Sequence, residues 1–367
     1  MIAFTYVGYL RTEIEINGRN TIDVELSQDI TGLEELVVVG YGQQRREDIT
    51  GAISSVSGDD IKSIQVSGVQ EALQGRVAGV NVTPSTGQPG APLDINIRGL
   101  STFGNGNPLF VIDGVPVFSG SGGTNNSLAT LNPENIASIE ILKDASASAI
   151  YGARAANGVV LITTERGQAG QTQFSVGVSR GVSTVQSEMD MMNSQQYVDY
   201  AIEGHQNAGM ELPISLEEPL VSENLQTNTN WPEAVFSPAV TQNYNFTVSG
   251  GSERVTYALS GGYLDQEGTI PNSAFQRYSM RINTDFDISE KFNLGQSLEL
   301  SRSNWLGTFS PTSSNMQQVH QMPPTVPVYD PDNLGGFAGS TIERCPSLRQ
   351  DMVGEWTLQD DTNTHNR

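Results

Sequence analysis

Polar and apolar residues alternate along the second half of the chain in five long runs. Apolar side chains occupy nearly every second position in residues 174–178, 244–248, 255–263, 278–286 and 292–300, with mostly polar or small residues between them. Successive side chains of a strand point to opposite faces of its sheet, so a period of two predicts strands with one apolar and one polar face. We therefore expect these runs to form consecutive antiparallel strands.

The length and spacing of the runs favour a transmembrane barrel over a soluble sandwich. Strands that cross a membrane need about 9 to 11 residues, whereas ordinary strands have about 5 to 6. The connections are short at 250–254 and 289–291 but long at 185–240 and 265–274. Short turns at one end and long loops at the other are typical of outer-membrane barrels. A soluble sandwich also alternates apolar and polar residues, and it stays the competing interpretation.

The side chains on the two faces support the barrel interpretation. Charged residues on the polar face suit a wet lumen, and tyrosines with one tryptophan near strand ends suit an aromatic girdle. The lumen residues are Arg277, Arg281, Asp285 and Glu299, and the girdle residues are Tyr244, Tyr263, Tyr278 and Trp305.

The first half of the chain has a different, mixed pattern. Residues 2–26 are predicted to form three short strands. Leu33–Gly42 contains an apolar β-branched burst that fits either a buried strand or an exposed strand awaiting a partner. Residues 49–164 alternate short strands with short helices, and we expect residues 47–166 to form a compact four-stranded α/β unit. Its polar loops at 85–92, 101–108 and 119–127 are expected to gather on one side.

Composition and isolated residues exclude several classes of function. The net charge of −22 would repel a phosphate backbone, so nucleic-acid binding is excluded. Cys345 has no partner for a metal or disulfide pair, and His205, His320 and His365 lack ligand spacing, so we expect no metal centre and no cofactor. The chain contains no nucleophile elbow, phosphate-binding loop or dinucleotide fingerprint, so we expect no enzymatic activity.

Ordered motifs in the first half resemble TonB-dependent receptors of the SusC/RagA family. They are Leu33–Gly42, Ala72–Val80, Ile95–Gly99, Val111–Pro116, Ile139–Ala147 with Ala149–Gly152, and Ala156–Thr164. The segment from Trp231 to Leu300 also resembles the first barrel strands of that family. The resemblance implies an α+β plug domain followed by the start of a transmembrane antiparallel β-barrel, with a short all-β remnant at the N-terminus.

Four segments follow from this resemblance. Residues 1–28 correspond to the end of a carboxypeptidase-regulatory-like sandwich, 29–46 to the Ton box and linker, 47–167 to the plug, and 168–367 to the first strands and loops of the barrel. A family barrel has 22 strands, so we expect the chain to be the N-terminal part of a longer transporter.

The resemblance also implies a function and partners. Such transporters sit in the outer membrane, surrounded by its lipid, with the plug and Ton box reaching the periplasm. They import oligosaccharides or peptides with a SusD-like surface lipoprotein, and TonB with ExbB and ExbD supplies the energy. A soluble or surface-attached glycan-binding or adhesin module without transport is the alternative.

Three groups of site residues are expected from the resemblance. An extended β-branched segment can add as a strand to a partner's sheet edge, so the Ton box is expected to bind TonB through Glu34, Glu35, Leu36, Val37, Val38, Val39 and Gly40. Arg98 and Lys143 are expected to pair with barrel carboxylates as a latch between plug and barrel. Loop residues expected to face the substrate are Ser101, Phe103, Asn105, Asn107, Asn125 and Asn126.

Overall fold

The computed structural model describes most of the chain from residue 53 to residue 330. The described ranges are 53–64, 66–84, 87–99, 106–117, 128–144, 148–186, 189–289, 291–307 and 319–330, with Val24 and the backbone of four short strands before them. Of these strands, β1 (Ile2–Phe4) pairs with β2 (Thr12–Ile14), and β3 (Leu36–Val39) pairs with β4 (Gly42–Arg45), both antiparallel. The third strand predicted before residue 26 lies outside the described residues apart from Val24.

Residues 53–164 form an α/β unit around a five-stranded sheet. Its strands are β5 (Ile53–Ser57), β8 (Leu109–Ile112), β9 (Val115–Val117), β10 (Ile136–Leu142) and β11 (Val159–Thr164). Their order is β5-β10-β11-β8-β9, and only the β11–β8 pair is parallel. A separate antiparallel ribbon joins β6 (Val80–Pro84) to β7 (Leu93–Ile97).

The prediction of a four-stranded sheet was therefore wrong. The additional strand β9 is possible because Asp113 and Gly114 both have positive φ, at 47° and 83°. Two consecutive residues with positive φ form the tight turn that returns a strand directly beside its predecessor.

The first two helices of the α/β unit are short. Helix α1 (Gly58–Lys62) is capped by the Ser57 hydroxyl, which accepts a hydrogen bond from the Asp60 backbone amide at 3.2 Å. Helix α2 (Val69–Ala72) ends before Gly75, whose φ of 72° an α-helix does not accept. Leu73 and Val77, which follow the helix, are also buried. The apolar core lies between the helices and the sheet and includes Ile61, Leu73, Ile95, Ile139, Ile141, Val160 and Ile162.

Five long strands follow and form a second sheet, the long-strand sheet, in simple sequential antiparallel order. They are β12 (Gly170–Ser183), β13 (Ala239–Gly251), β14 (Val255–Glu267), β15 (Ala274–Ser289) and β16 (Phe292–Leu306). The shortest has 13 residues and the longest 16, so each exceeds the length needed to span a membrane. The predicted strands and their alternating faces are confirmed.

The aromatic residues of this sheet divide between its two faces. Tyr244, Tyr263 and Tyr278 lie side by side on the outer face, with ring centroids 6.2 and 4.8 Å apart, as a girdle requires. Trp305 was predicted to join them, and that prediction was wrong. Its indole N–H donates to the Pro89 carbonyl of the α/β unit at 3.1 Å, so Trp305 lies on the inner face.

The long connection after β12 folds into three helices, α3 (Ser194–Ala208), α4 (Leu220–Asn224) and α5 (Trp231–Val235). Asn193 and Gln196 form a capping box that starts α3, and Gly209 ends it with a φ of 64°. Among the described helices, none is long and apolar enough to cross a membrane.

Two small apolar clusters hold this long connection together. The cap core consists of Trp231, Val235, Val319, Met322 and Val326, and the side core consists of Val198, Leu216 and Val221. Both lie beyond the same end of the long-strand sheet, here called the long-loop end. The opposite, short-turn end carries the connections at 252–254 and 290–291.

Candidate functional site

The inner face of the long-strand sheet packs against the α/β unit, and a buried ion pair lies between them. Arg281 of β15 donates through Nη2 to Asp113, and through Nη1 to Glu299 of β16 at 2.8 Å. The side chains of Arg281 and Asp113 are only 6% and 10% exposed. Asp113 also accepts hydrogen bonds from the Thr164 amide at 2.9 Å and the Thr164 hydroxyl at 2.7 Å. These contacts fix the turn between β8 and β9 to the sheet.

A second arginine of β15 binds backbone carbonyls of the α/β unit. Nη1 of Arg277 donates to the carbonyl oxygens of Ser67 and Ala129 at 3.0 Å and of Leu131 at 3.2 Å. Arg277 is 2% exposed, so these carbonyls take the place of its solvent. Because the segment before α2 and the segment at 129–131 meet at this single guanidinium, Arg277 joins both to the sheet.

Polar contacts continue to the short-turn end, where the α/β unit leads into β12. The side-chain amide of Asn283 donates to the Glu165 backbone carbonyl at 2.6 Å, and Arg166 forms an ion pair with Asp285 at 2.6 Å. Gly167 packs against the backbone of Tyr257, where a Cβ atom would overlap it. The exit segment 165–167 is therefore bound closely to β14 and β15.

Contacts in the middle of the sheet and at its long-loop end complete the interface. The Asn132 side chain donates to Asn245 of β13 at 2.7 Å, and the Trp305 bond to Pro89 lies at the long-loop end. A Cβ atom at Gly262 would overlap Asn132, so glycine at that position lets the α/β unit approach β14. The interface is thus largely polar from one end of the sheet to the other.

The two cations predicted as the latch bind atoms within the α/β unit. Arg98 pairs with Asp144 and donates to the Lys143 carbonyl at 3.4 Å. The ammonium group of Lys143 donates to the Ser54 hydroxyl at 2.6 Å and to the Ala78 carbonyl. Their predicted pairing with barrel carboxylates stays a prediction.

The predicted substrate-facing residues fall mostly outside the described part of the chain. Ser101, Phe103, Asn105, Asn125 and Asn126 belong to that group. Asn107 is described, and its side-chain oxygen accepts the Ile95 amide at 3.0 Å, which fixes the segment before β8 to β7. A substrate-binding role for these residues stays a prediction.

The predicted TonB-binding segment is described only in its centre. Leu36, Val37, Val38 and Val39 form β3, while Glu34, Glu35 and Gly40 lie outside the described residues. Among the described strands, β3 pairs only with β4. The extended backbone that strand addition requires is therefore present in β3.

Sequence reasoning missed the role of the inner-face arginines. Arg277 and Arg281 were predicted to face a wet lumen, but both are buried against the α/β unit. The carboxylate of Asp113 pairs with Arg281, a role that the motif Val111–Pro116 did not indicate. The available signal for this role was a pair of arginines four residues apart on the inner face of one strand, because a buried cation requires a partner.

Metal-binding groups do not cluster in the part of the chain that the structure describes. No group of three or more His, Cys, Asp or Glu side chains is placed there to hold an ion. The polar atoms gathered at the interface bind each other, which is chemistry suited to holding two bodies together.

The α/β unit matches a known family. Residues 45–159 match the family model described as TonB-dependent Receptor Plug Domain. The fold and interface thus define a plug domain docked on the inner face of antiparallel strands that begin a barrel wall.

Similarity to curated proteins extends beyond the plug. The chain is 37% identical to TonB-dependent receptor P26 of Formosa agariphila over 345 residues, covering 92% of this chain and 33% of that protein. It is 31% identical to TonB-dependent receptor SusC of Bacteroides thetaiotaomicron over 370 residues, covering 99% of this chain and 35% of that protein. The chain spans about a third of the length of the curated relatives it matches.

A solved structure agrees with these matches. The structure of the RagAB peptide transporter aligns with a TM-score of 0.63 at 29% identity, covering 76% of this chain and 34% of that chain. The chain belongs to the SusC/RagA family of TonB-dependent receptors. The α/β unit is called the plug below, and the long-strand sheet is called the wall.

One acidic residue of the plug gives a pH-dependent prediction. Burial raises the pKa of Glu134, Lys62 opposes that rise, and Glu165 adds to it. A raised pKa in the folded state means that the native plug binds more protons than the unfolded chain, so this carboxyl lowers stability as pH rises through the raised pKa.

We therefore expect Glu134→Gln to stabilise the plug at pH 7. The difference in the free energy of unfolding between this variant and wild type should shrink towards zero as pH falls to 4. The measurement is urea unfolding of the plug within the complete protein across that range. Glu233→Gln on α5, far from Lys62 and Glu165, is the control. A Glu134→Gln effect that grows on acidification would contradict the assignment.

Proposed function

We propose that this chain provides the plug and the first wall strands of an outer-membrane transporter that uses TonB, with ExbB and ExbD, to import its substrate. The observation that carries the proposal is the polar interface between plug and wall. Arg277, Arg281 and Asn283 hold the plug through hydrogen bonds and ion pairs that water can replace. A plug held mainly in this way can leave the wall while exposing little apolar surface.

The two ends of the wall give the proposed orientation. The short-turn end lies in the periplasm, where the exit segment 165–167 is fixed. The long-loop end, with its helices and cap core, faces the outside. The outer face between them, which carries exposed Phe246, Met280 and Leu300, contacts lipid.

The proposed energy input acts through β3. An extended segment can pair with the edge of a partner's sheet through backbone hydrogen bonds, and β3 has the required strand geometry. Force applied there reaches β5, α1 and α2 first, because these elements follow β3 in the chain. The Ton-box residues Glu34 to Gly40 are proposed as the TonB-binding segment.

The proposed cargo is an oligosaccharide or a peptide delivered with a SusD-like surface lipoprotein. Support comes from family membership and from the RagAB complex, which is described as a peptide importer. Loop residues Ser101, Phe103, Asn105, Asn107, Asn125 and Asn126 are proposed to contact the cargo, since amides and hydroxyls can bind either sugar hydroxyls or peptide groups.

The test is uptake by cells that carry the complete transporter and its neighbouring lipoprotein. They receive a fluorescent oligosaccharide pool or a fluorescent peptide pool, and the matched strain lacks TonB. We expect one pool to accumulate in the periplasm only when TonB is present. Cell-surface binding of a pool with no TonB-dependent accumulation would instead show a binding module without transport.

A further inference from the structure

The plug touches the long-loop end of the wall through a compact contact, here called the grip. The grip consists of Pro89 and Gly90 of the plug and Phe275 and Trp305 of the wall. Trp305 donates to the Pro89 carbonyl at 3.1 Å, and Phe275 is 4% exposed. Gly90 has a φ of 70° and lies so close to the Phe275 ring that a Cβ atom would overlap it.

On the plug side, the grip continues into the core. Pro89 and Gly90 precede β7, whose first residue, Leu93, is bound on both backbone groups by the Gln70 side chain. The side-chain N–H of Gln70 donates to the Leu93 backbone carbonyl at 3.1 Å. The side-chain oxygen of Gln70 accepts a hydrogen bond from the Leu93 backbone N–H at 3.4 Å. Since Gln70 lies in α2, these two hydrogen bonds connect the gripped segment to α2.

On the wall side, the grip continues into the loop between β14 and β15. Gly268 lies beside Pro89, and its amide donates to the Ser273 carbonyl at 2.8 Å. The Ser273 hydroxyl donates to the Ile270 carbonyl at 2.6 Å, which closes the loop. Ile270 packs on the cap core.

The cap core is itself tied together across distant parts of the chain. Trp231 donates to the Pro323 carbonyl at 2.9 Å, and the Thr229 hydroxyl donates to the Val326 carbonyl at 2.7 Å. Ser237 adds a backbone bond to Thr269 of the wall loop at 2.9 Å. Ile270 is not among the residues packed on the side core.

We propose that Phe275 and Trp305 form a gate contact which holds the plug closed at Pro89 and Gly90, and that the cap core controls the strength of this contact through Ile270. The proposal rests on the proposed function, because the gate is one that TonB would open. In the part of the chain that the structure describes, the grip joins the loop 268–273 to the plug, and through Ile270 this loop also contacts the cap core. A change in the cap core is therefore expected to alter the hold on the plug.

The experiment measures opening of the complete protein in planar lipid bilayers as ion conductance. In one arm urea drives opening, and in the other an immobilised C-terminal domain of TonB is drawn away from the membrane. Trp305→Phe removes the indole N–H and its hydrogen bond but keeps an aromatic side chain, so we expect opening about fivefold faster. Phe275→Ala removes a buried ring and should speed opening roughly a hundredfold.

A matched pair of variants tests control by the cap core. Val235 of the cap core and Val198 of the side core are 1% and 2% exposed, so Val235→Ala and Val198→Ala remove the same group from equally buried sites. We expect Val235→Ala to speed opening roughly threefold to tenfold and Val198→Ala to leave it unchanged. The Val235→Ala effect should vanish in the Phe275→Ala background, because the contact it acts through is gone.

The outcomes separate this proposal from the proposed function. If urea opens the variants in the expected order of rates but TonB opens none of them, TonB coupling is contradicted and the role of the grip is supported. Equal changes in opening rate for Val235→Ala and Val198→Ala would contradict the proposed role of the grip. An unchanged opening rate for Phe275→Ala would contradict it as well. Unchanged heat-modifiable migration in gels would show that each variant still folds its wall.

Discussion

Replacing Arg281 by methionine is expected to release the plug from the wall. The variant leaves Asp113 facing the wall without its cation, and the Asp113 side chain is only 10% exposed. Removing one partner of a buried ion pair costs about 3 to 5 kcal/mol, much of it from the charge left behind. The urea concentration that opens the complete transporter in a bilayer should therefore fall clearly, and non-specific ion leakage should appear.

Arg302 of β16 provides the matched control. It is exposed on the outer face beside Tyr278, so Arg302→Met should change plug release little. Adding Asp113→Asn to Arg281→Met should recover part of the loss, because the amide keeps the turn and removes the unpaired charge. Equal opening of Arg281→Met and wild type would show that the ion pair does not hold the plug.

Replacing Val38 by proline is expected to abolish most uptake while cell-surface binding of the substrate persists. The strands β3 and β4 are separated by two residues, and Val39 pairs with Gly42. Residues that flank a two-residue turn exchange backbone hydrogen bonds, and facing pairs alternate from there. The N–H groups of Val37 and Val39 therefore point towards β4, whereas those of Leu36 and Val38 point to the open edge.

Strand addition at the open edge depends on the Val38 N–H, which proline lacks. Leaving its acceptor on TonB unpaired costs about 1 to 3 kcal/mol, so uptake should fall roughly tenfold or more. Val38→Ala keeps the backbone donor and should import normally.

Val37→Pro is the positional control, because it breaks a bond to β4 and leaves the open edge intact. We expect Val37→Pro to bind the C-terminal domain of TonB better than Val38→Pro does. The reverse order would mean that TonB displaces β4 and takes the edge that the hairpin now uses.

The period-two pattern was sufficient to predict the wall. Tyr278, Met280 and Ile282 face outward while Arg277, Arg281 and Asn283 face inward, as alternation requires, because a strand has no other way to direct its side chains. The motifs that predicted the plug were also local, and the turn at Asp113 and Gly114 lies within one of them.

Residues that act between the two domains could not be assigned from the sequence. Trp305 lies at a strand end, which fits a girdle. Its side chain lies on the inner face, however, and contacts Pro89, more than two hundred positions earlier in the chain. Arg277 shows the same limit, since its acceptors are backbone carbonyls, which every residue carries and no sequence pattern marks. Sequence determined the face on which each side chain lies, because that depends only on neighbouring residues. The tertiary structure decided what each face meets, because the plug docks on the wall through contacts between distant segments.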